Sequence, residues 1–175
     1  LKIKPSQIYI LSGLSSVKKS FSSPIETYRS NIIIPFKILE ICRKKKLDIK
    51  IYNSVSTDCF GNQKTILNER SNFYPVSPHA KSKSYVYWLI KYYRETFNVK
   101  CVSGIASNHE SILRNKNFVT KKITEYIKKF NFKKKLIMGN TNVYRDWGWA
   151  PDYVDAIHKI NSSEKRSDYV VATGK

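Results

Sequence analysis

The residues Ser77-Pro78-His79-Ala80-Lys81-Ser82-Lys83 place an imidazole and an ammonium at the opening of a predicted helix. Ser77 is a good N-cap, and Pro78 suits the first helical position, where a missing N–H costs nothing. His79 and Lys83 stand four residues apart and so share one helical face. A titratable group one turn before a lysine can take up and hand on a proton, although the same spacing occurs on ordinary surface helices. Two further segments carry usable chemistry. Ser56-Thr57-Asp58 offers hydroxyls and a carboxylate, and Asn108-His109-Glu110 offers an amide, an imidazole and a carboxylate. Each alone also reads as a solvated loop or a surface pair.

The elements around them decide whether the three segments can meet. Residues 7–11, 48–54, 99–105, 136–138 and 169–172 read as short strands from their apolar and β-prone runs. Ser23-Pro24-Ile25-Glu26 is a capping box with proline at the first helical position, and it predicts a helix over 23–46. Pro35 predicts a kink in it near Ile34. Further helices are predicted over 77–97, around Phe118, Ile123, Ile127 and Phe130, and over 151–160, where Tyr153, Ile157 and Ile160 share one side. Strands alternating with helices predict an α/β fold: a Rossmann-like parallel sheet with helices on both faces. Ligands of such sheets bind beyond the carboxyl ends of the strands. The loop Ser12-Gly13-Leu14-Ser15-Ser16 falls there, as do the Ser56 and Asn108 segments. No Gly-x-Gly-x-x-Gly run follows a strand, so the loop that cradles a dinucleotide's phosphates is absent from these residues.

The totals set the outer bounds. A chain of 175 residues can bury about 70% of its unfolded surface as one domain. The hydrophobic content of 41% argues for a packed core, and no apolar run approaches the ~20 residues of a membrane span. The chain opens at Leu1 without a signal-like segment, and its one methionine is Met138, which reads as a fragment of a longer cytoplasmic protein. Cys42, Cys59 and Cys101 stand far apart and form no Cys-x-x-Cys pair, so reduced, buried thiols are expected and no metal site. The net charge of +19 suits nucleic acid or small phosphorylated ligands. Lysine, Ile, Asn and Tyr are all plentiful, however, as A/T-rich codons would produce. Nucleic-acid binding is therefore the weaker reading, and no membrane partner is expected.

Together the motifs resemble those of the GDP-mannose 4,6-dehydratases, within the extended short-chain dehydrogenase/reductase superfamily. Ser77-Pro78-His79-Ala80-x-x-Lys83 with Tyr87-Trp88 looks like the family's Ser-Pro-Tyr-Ala-x-x-Lys helix with its Tyr-Trp. Tyr92-Tyr93-Arg94-Glu95, Asn108-His109-Glu110-Ser111 and the run from Phe118 to Ile123 resemble further family runs. So do Gly139-Asn140, Arg145-Asp146-Trp147-Gly148-x-Ala150-x-Asp152-Tyr153-Val154 and Ala172-Thr173-Gly174. The likeness covers nearly the whole chain, from about the family's fourth strand onward. It implies residues 1–107 as the C-terminal part of an NAD(P)-binding domain. Residues 108–175 would hold substrate-lobe elements interleaved with the last strand of the sheet.

The resemblance implies NADP as cofactor and GDP-mannose or a related GDP-sugar as substrate. In the family a tyrosine, its pKa lowered by the lysine, removes the proton of the sugar's carbon-four hydroxyl while hydride passes to the nicotinamide. A glutamate takes the carbon-five proton, water leaves from carbon six, and the hydride returns there. By resemblance the catalytic set is Ser56, Asp58, His79 and Lys83, and the cofactor set is Leu11, Ser12, Gly13, Ser15, Lys83, His109 and Arg114. The substrate set is Asn108, Val119, Lys122 and Arg145. Several positions depart from the family: His79 stands for the tyrosine, Asp58 for the glutamate and Ser56 for a threonine. Ile112-Leu113 replaces Pro-Arg before Arg114, and Glu26 replaces a cofactor-side tyrosine. Imidazole is shorter than phenol by about 2 Å, and a misplacement of ~1 Å can cost ~100-fold. Impaired dehydration is expected. An inactive sugar-nucleotide-binding homologue or partner subunit is the alternative. The 23–46 and 77–97 helices are expected to pair with their copies in a homo-oligomer.

Overall fold

The computed structural model describes residues 3–129 and 135–174. Strand β1 is Gln7–Ile10, and three helices follow it: α1 (Val17–Ser22), α2 (Pro24–Tyr28) and α3 (Ile34–Lys44). Strand β2 (Lys50–Ser56) leads through a 3₁₀ turn, Thr57–Phe60, to helix α4 (Pro78–Phe97). Strands β3 (Cys101–Ala106) and β4 (Asn108–Glu110) come next, then helix α5 (Val119–Lys129), strand β5 (Trp147–Trp149), helix α6 (Ala150–Ser162) and strand β6 (Tyr169–Val171). The parallel sheet runs β1-β2-β3-β6, with Ile51 opposite Cys101, Ser56 opposite Ala106 and Gly104 opposite Tyr169.

Successive residues of a strand face opposite sides, and here both sides are covered. Ile51 packs with Leu39, Val86, Ile90 and Cys101 beneath α3 and α4. Its neighbour Tyr52 packs with Val102 and Ile157 beneath α6. All of β3 is buried in consequence. Arg94 of α4 reaches Asp168 with two hydrogen bonds of 2.9 and 2.7 Å, and the same carboxylate accepts the Ser103 N–H at 2.7 Å. This ion pair fixes the start of β6 beside β3.

Two expectations are corrected. The helix over 23–46 is not continuous, because a π-helical turn, Arg29–Ile33, separates α2 from α3. Pro35 has no N–H for the Asn31 carbonyl and its ring would crowd that oxygen, so a widened turn takes up the mismatch in place of a simple kink. The strand over 136–138 does not form, and Ile137 stays exposed; three apolar residues with no neighbouring edge do not make a strand. The strand of this region is β5, which pairs in parallel with β4 as a separate two-stranded sheet, His109 opposite Gly148. The helix around Phe118 is α5, and Phe130 lies outside the described residues. Cys42, Cys59 and Cys101 are buried and free, as expected. No helix among the described residues is long and apolar enough to cross a membrane.

Candidate active site

Helix α4 begins where the sequence places it. The Ser77 Oγ accepts the Ala80 N–H at 3.1 Å, and Pro78 fills the first turn. This start sets His79 and Lys83 beside the carboxyl ends of β1 and β2. The Lys83 ammonium donates to the Ser54 carbonyl at 2.8 Å, and burial pulls its pKa below the ordinary lysine value. His79 is 4% exposed, with Nδ1 at 2.9 Å from the Leu14 carbonyl. A carbonyl only accepts, so Nδ1 carries the proton and Nε2 is the nitrogen left with a lone pair. Burial drives the His79 pKa down. The Leu14 carbonyl and Asp58 oppose that, Lys83 adds to it, and the net shift is downward. Ser56 ends β2, where its Oγ accepts the Asp58 N–H at 3.2 Å and so caps the 3₁₀ turn.

A second tie holds the loop after β1. The Asn31 amide, in the π turn, donates to the Leu14 carbonyl at 3.2 Å and to Ser82 Oγ at 2.8 Å. Ser82 in turn donates to the His79 carbonyl at 2.7 Å. Gly13, at φ 125°, lies against the Asn31 side chain, and a Cβ there would collide with its Oδ1. Leu11, Ser12, Gly13 and Ser15 remain exposed.

The other group of site residues gathers around β4 and β5. His109 Nδ1 bonds the Ser107 carbonyl at 2.8 Å, and its ring stacks on Tyr153 at 4.7 Å between centroids. Asn108 is half-buried. Arg114 is held by Glu110 at 3.1 Å, with its guanidinium 3.6 Å over the Phe118 ring. Val119 and Lys122 are exposed on the first turns of α5. Arg145 is exposed and bonds only the Tyr144 carbonyl, at 2.8 Å. Its neighbour Asp146 accepts from Ser107 Oγ at 2.7 Å, from the Thr173 N–H at 3.0 Å and from the Gly174 N–H at 2.7 Å. Burial pushes the Asp146 pKa up, but those donors outweigh it and hold the group at about 2. An ion pair between Arg145 and Asp146, the plain alternative to a ligand-binding role, does not form.

These two groups lie at the carboxyl ends of neighbouring strands. The profile of the GDP-mannose 4,6 dehydratase family matches residues 1–175. The chain belongs to this family. The GDP-mannose 4,6 dehydratase of Drosophila melanogaster is 38% identical over 178 residues, spanning 99% of this chain and 45% of that protein. The chain thus covers about half the length of the curated relatives it matches. The fold is that of solved sugar-nucleotide enzymes. UDP-N-acetylglucosamine 4-epimerase from Methanobrevibacter ruminantium, in complex with UDP-N-acetylmuramic acid, aligns with TM-score 0.88 at 24% identity, over 97% of this chain and 56% of its own. RMD from Pseudomonas aeruginosa, complexed with NADPH, aligns with TM-score 0.88 at 20% identity, over 98% and 61%.

Within the GDP-mannose 4,6-dehydratase family frame, the structure brings Ser56, Asp58, His79 and Lys83 to the carboxyl edge of the sheet, and sets Arg145 shortly before β5 and Lys122 on α5. Sequence reasoning missed Asn31, Ser82 and Ser107 as site-building residues. Asn31 sits in a helical pattern where an amide reads as surface, and only the π turn aims it inward. Ser107 had a signal, since it directly precedes the Asn108 segment. Among the described residues no group of three or more His, Cys, Asp or Glu gathers to hold a metal.

Proposed function

We propose that the protein binds a GDP-sugar and NADP along this edge as a GDP-mannose 4,6-dehydratase by descent, with its proton chemistry weakened. The observation that carries the reading is His79. Its ring is buried, and one nitrogen is committed to the Leu14 carbonyl, so only Nε2 can act as base. In this reading Ser56 holds the reacting oxygen, Asp58 stands one methylene short of the glutamate position, and Lys83 supplies positive charge beside the ring. Arg145 and Lys122 meet the diphosphate and the guanine end of the ligand together with Asn108 and Val119. Guanidinium suits phosphate because it pairs through two hydrogen bonds, and Arg145 is charged, exposed and in no ion pair among the described residues.

The residues fit the nicotinamide end of a dinucleotide. The exposed loop Leu11, Ser12, Gly13 and Ser15 is held in place from behind by Asn31. The Lys83 ammonium spends one of its three protons on Ser54 and has others to offer. When bound, the nicotinamide ring would take up hydride and give it back. His109 lies on the same edge. Arg114 is engaged by Glu110 and Phe118, so a cofactor contact from it requires that it leave them. Residues 1–107 serve as the cofactor side and 108–175 as the substrate side, with β6 returning to the sheet. Tyr85, Trp88 and Tyr92 of α4 and Phe36 and Ile41 of α3 leave apolar surface exposed. That surface supports a homo-oligomer built on these two helices. The chemistry suits a cytoplasmic sugar-nucleotide pool.

The buried His79 favours a second reading, in which the sugar nucleotide is bound but not turned over. Titration with GDP-mannose by calorimetry, followed by mass spectrometry for loss of water from the sugar, separates the two. Binding with slow dehydration supports the first reading, and binding without dehydration supports the second. Tight binding of an oligonucleotide with none of GDP-mannose would overturn both.

A further inference from the structure

We infer that Asp146 is a positioning residue, which fastens the segment carrying Arg145 to the carboxyl edge of the sheet and thereby sets where the guanidinium stands. Arg145 itself has almost no support. Among the described residues its side chain bonds only the carbonyl of Tyr144, and residues 141–145 are exposed. Asp146 is the first anchored residue after that exposed run, and both of its oxygens accept hydrogen bonds. Oδ1 accepts from the Ser107 hydroxyl and the Thr173 N–H, while Oδ2 accepts from the Gly174 N–H.

The hydroxyls form a one-way chain into the carboxylate. Each hydroxyl has one proton. Ser107 donates its proton to Asp146, so the proton in the short Ser107–Tyr153 contact comes from Tyr153, whose hydroxyl also lies 3.4 Å from Asp146 Oδ1. Ser107 follows β3 directly, and its N–H donates to Val171 of β6 at 2.9 Å. A carboxylate at position 146 thus joins the end of β3, the residues after β6, and α6.

The neighbouring residue completes the device. Gly148 lies opposite His109, and a Cβ on it would collide with the Tyr153 ring. Tyr153 therefore packs against the bare backbone of β5 and stacks on the His109 imidazole. In Arg145-Asp146-Trp147-Gly148, the arginine is left free for a ligand, the aspartate fastens it, and the glycine admits the tyrosine that heads the hydroxyl chain.

The ligand arm of the test rests on the GDP-sugar reading above, and the exchange arm does not. Asp146→Asn turns an accepting oxygen into an N–H that faces the Gly174 donor. Amide hydrogen exchange on the whole chain should show protection of residues 147–149 falling by about tenfold or more, with β1, β2 and β3 unchanged. Titrated with GDP by calorimetry, Asp146→Asn should bind about tenfold more weakly than the parent, yet differ by less than about twofold when introduced into Arg145→Ala. A purely structural aspartate would give the same loss in both backgrounds, and that result overturns the inference, as does unchanged exchange in residues 147–149. Ser107→Ala, which removes one donor and keeps the carboxylate, should produce smaller changes in the same places and covers the case of a poorly folding Asp146→Asn. If the parent binds no GDP, the substrate reading falls, and the exchange result alone decides whether Asp146 is the fastening.

Discussion

The two groups of candidate site residues are secured in opposite ways. At α4 the group that resemblance assigns to proton transfer is itself part of the fastening: His79 is buried and bonds the loop after β1. Before β5 the labour is divided, because Asp146 makes the side-chain fastening bonds and leaves Arg145 spare. The difference teaches that availability for a ligand depends on what the neighbours have already consumed. A side chain that bonds its own backbone must break that bond before it serves a substrate.

Four changes would break or sharpen this contrast. The largest effect is expected at His79, where a phenol would extend past the Leu14 carbonyl toward the ligand. His79→Tyr should raise GDP-mannose dehydration by about 100-fold, the scale of correcting a misplaced group. A decrease in turnover on that substitution would make imidazole the working base. Next comes Arg145→Ala, which should weaken GDP-mannose binding about tenfold by calorimetry, since a charge-assisted bond contributes ~1.5–3 kcal/mol. Unchanged affinity would remove Arg145 from the ligand site. Gly148→Ala should cost about 1 kcal/mol in urea unfolding, the lower range of overpacking, because the added methyl meets Tyr153. No loss of stability there would show that Tyr153 is free to shift.

The smallest effect is on acid stability. The folded pKa of Asp146, about 2, lies below the ordinary aspartate value. A depressed carboxylate stabilises the fold fully above the unfolded pKa of about 4 and loses that contribution as pH falls through its folded value. Urea midpoints should therefore drop between pH ~5 and ~2, and less steeply in Asp146→Asn. Equal slopes in the two proteins would mean that the aspartate is no better solvated by its donors than by water.

Much of this was legible in the sequence, but unevenly. Helix α4 was readable to the residue because Ser77-Pro78 is a strong start and its apolar face is long. The sheet was readable because β1, β2 and β3 are short apolar runs between helices. The β4–β5 pair was not, since Trp147-Gly148-Trp149 has no strand-like alternation and its partner lies across α5. The apolar run 136–138 misled for the converse reason: composition without an edge to join. Ser56, Asp58, His79 and Lys83 were singled out through their resemblance to a family pattern, and the structure sets them at the carboxyl edge of the sheet. Asn31 was not, because nothing in its local sequence announces the change of helical pitch that aims it.

That change of pitch has a consequence for length variation. A π turn carries one residue more than the α turn it replaces, so Arg29–Ile33 behaves as a one-residue insertion accommodated within a helix. Deleting a single residue there would restore regular winding and leave α2 and α3 close to their present phase, because the widened turn already absorbs the extra residue. Leu39 and Cys42 would keep their places against the sheet, and the loss would fall on the turn itself, where Asn31 would swing off the Leu14 carbonyl. A one-residue gap would therefore spare the core and release the loop after β1.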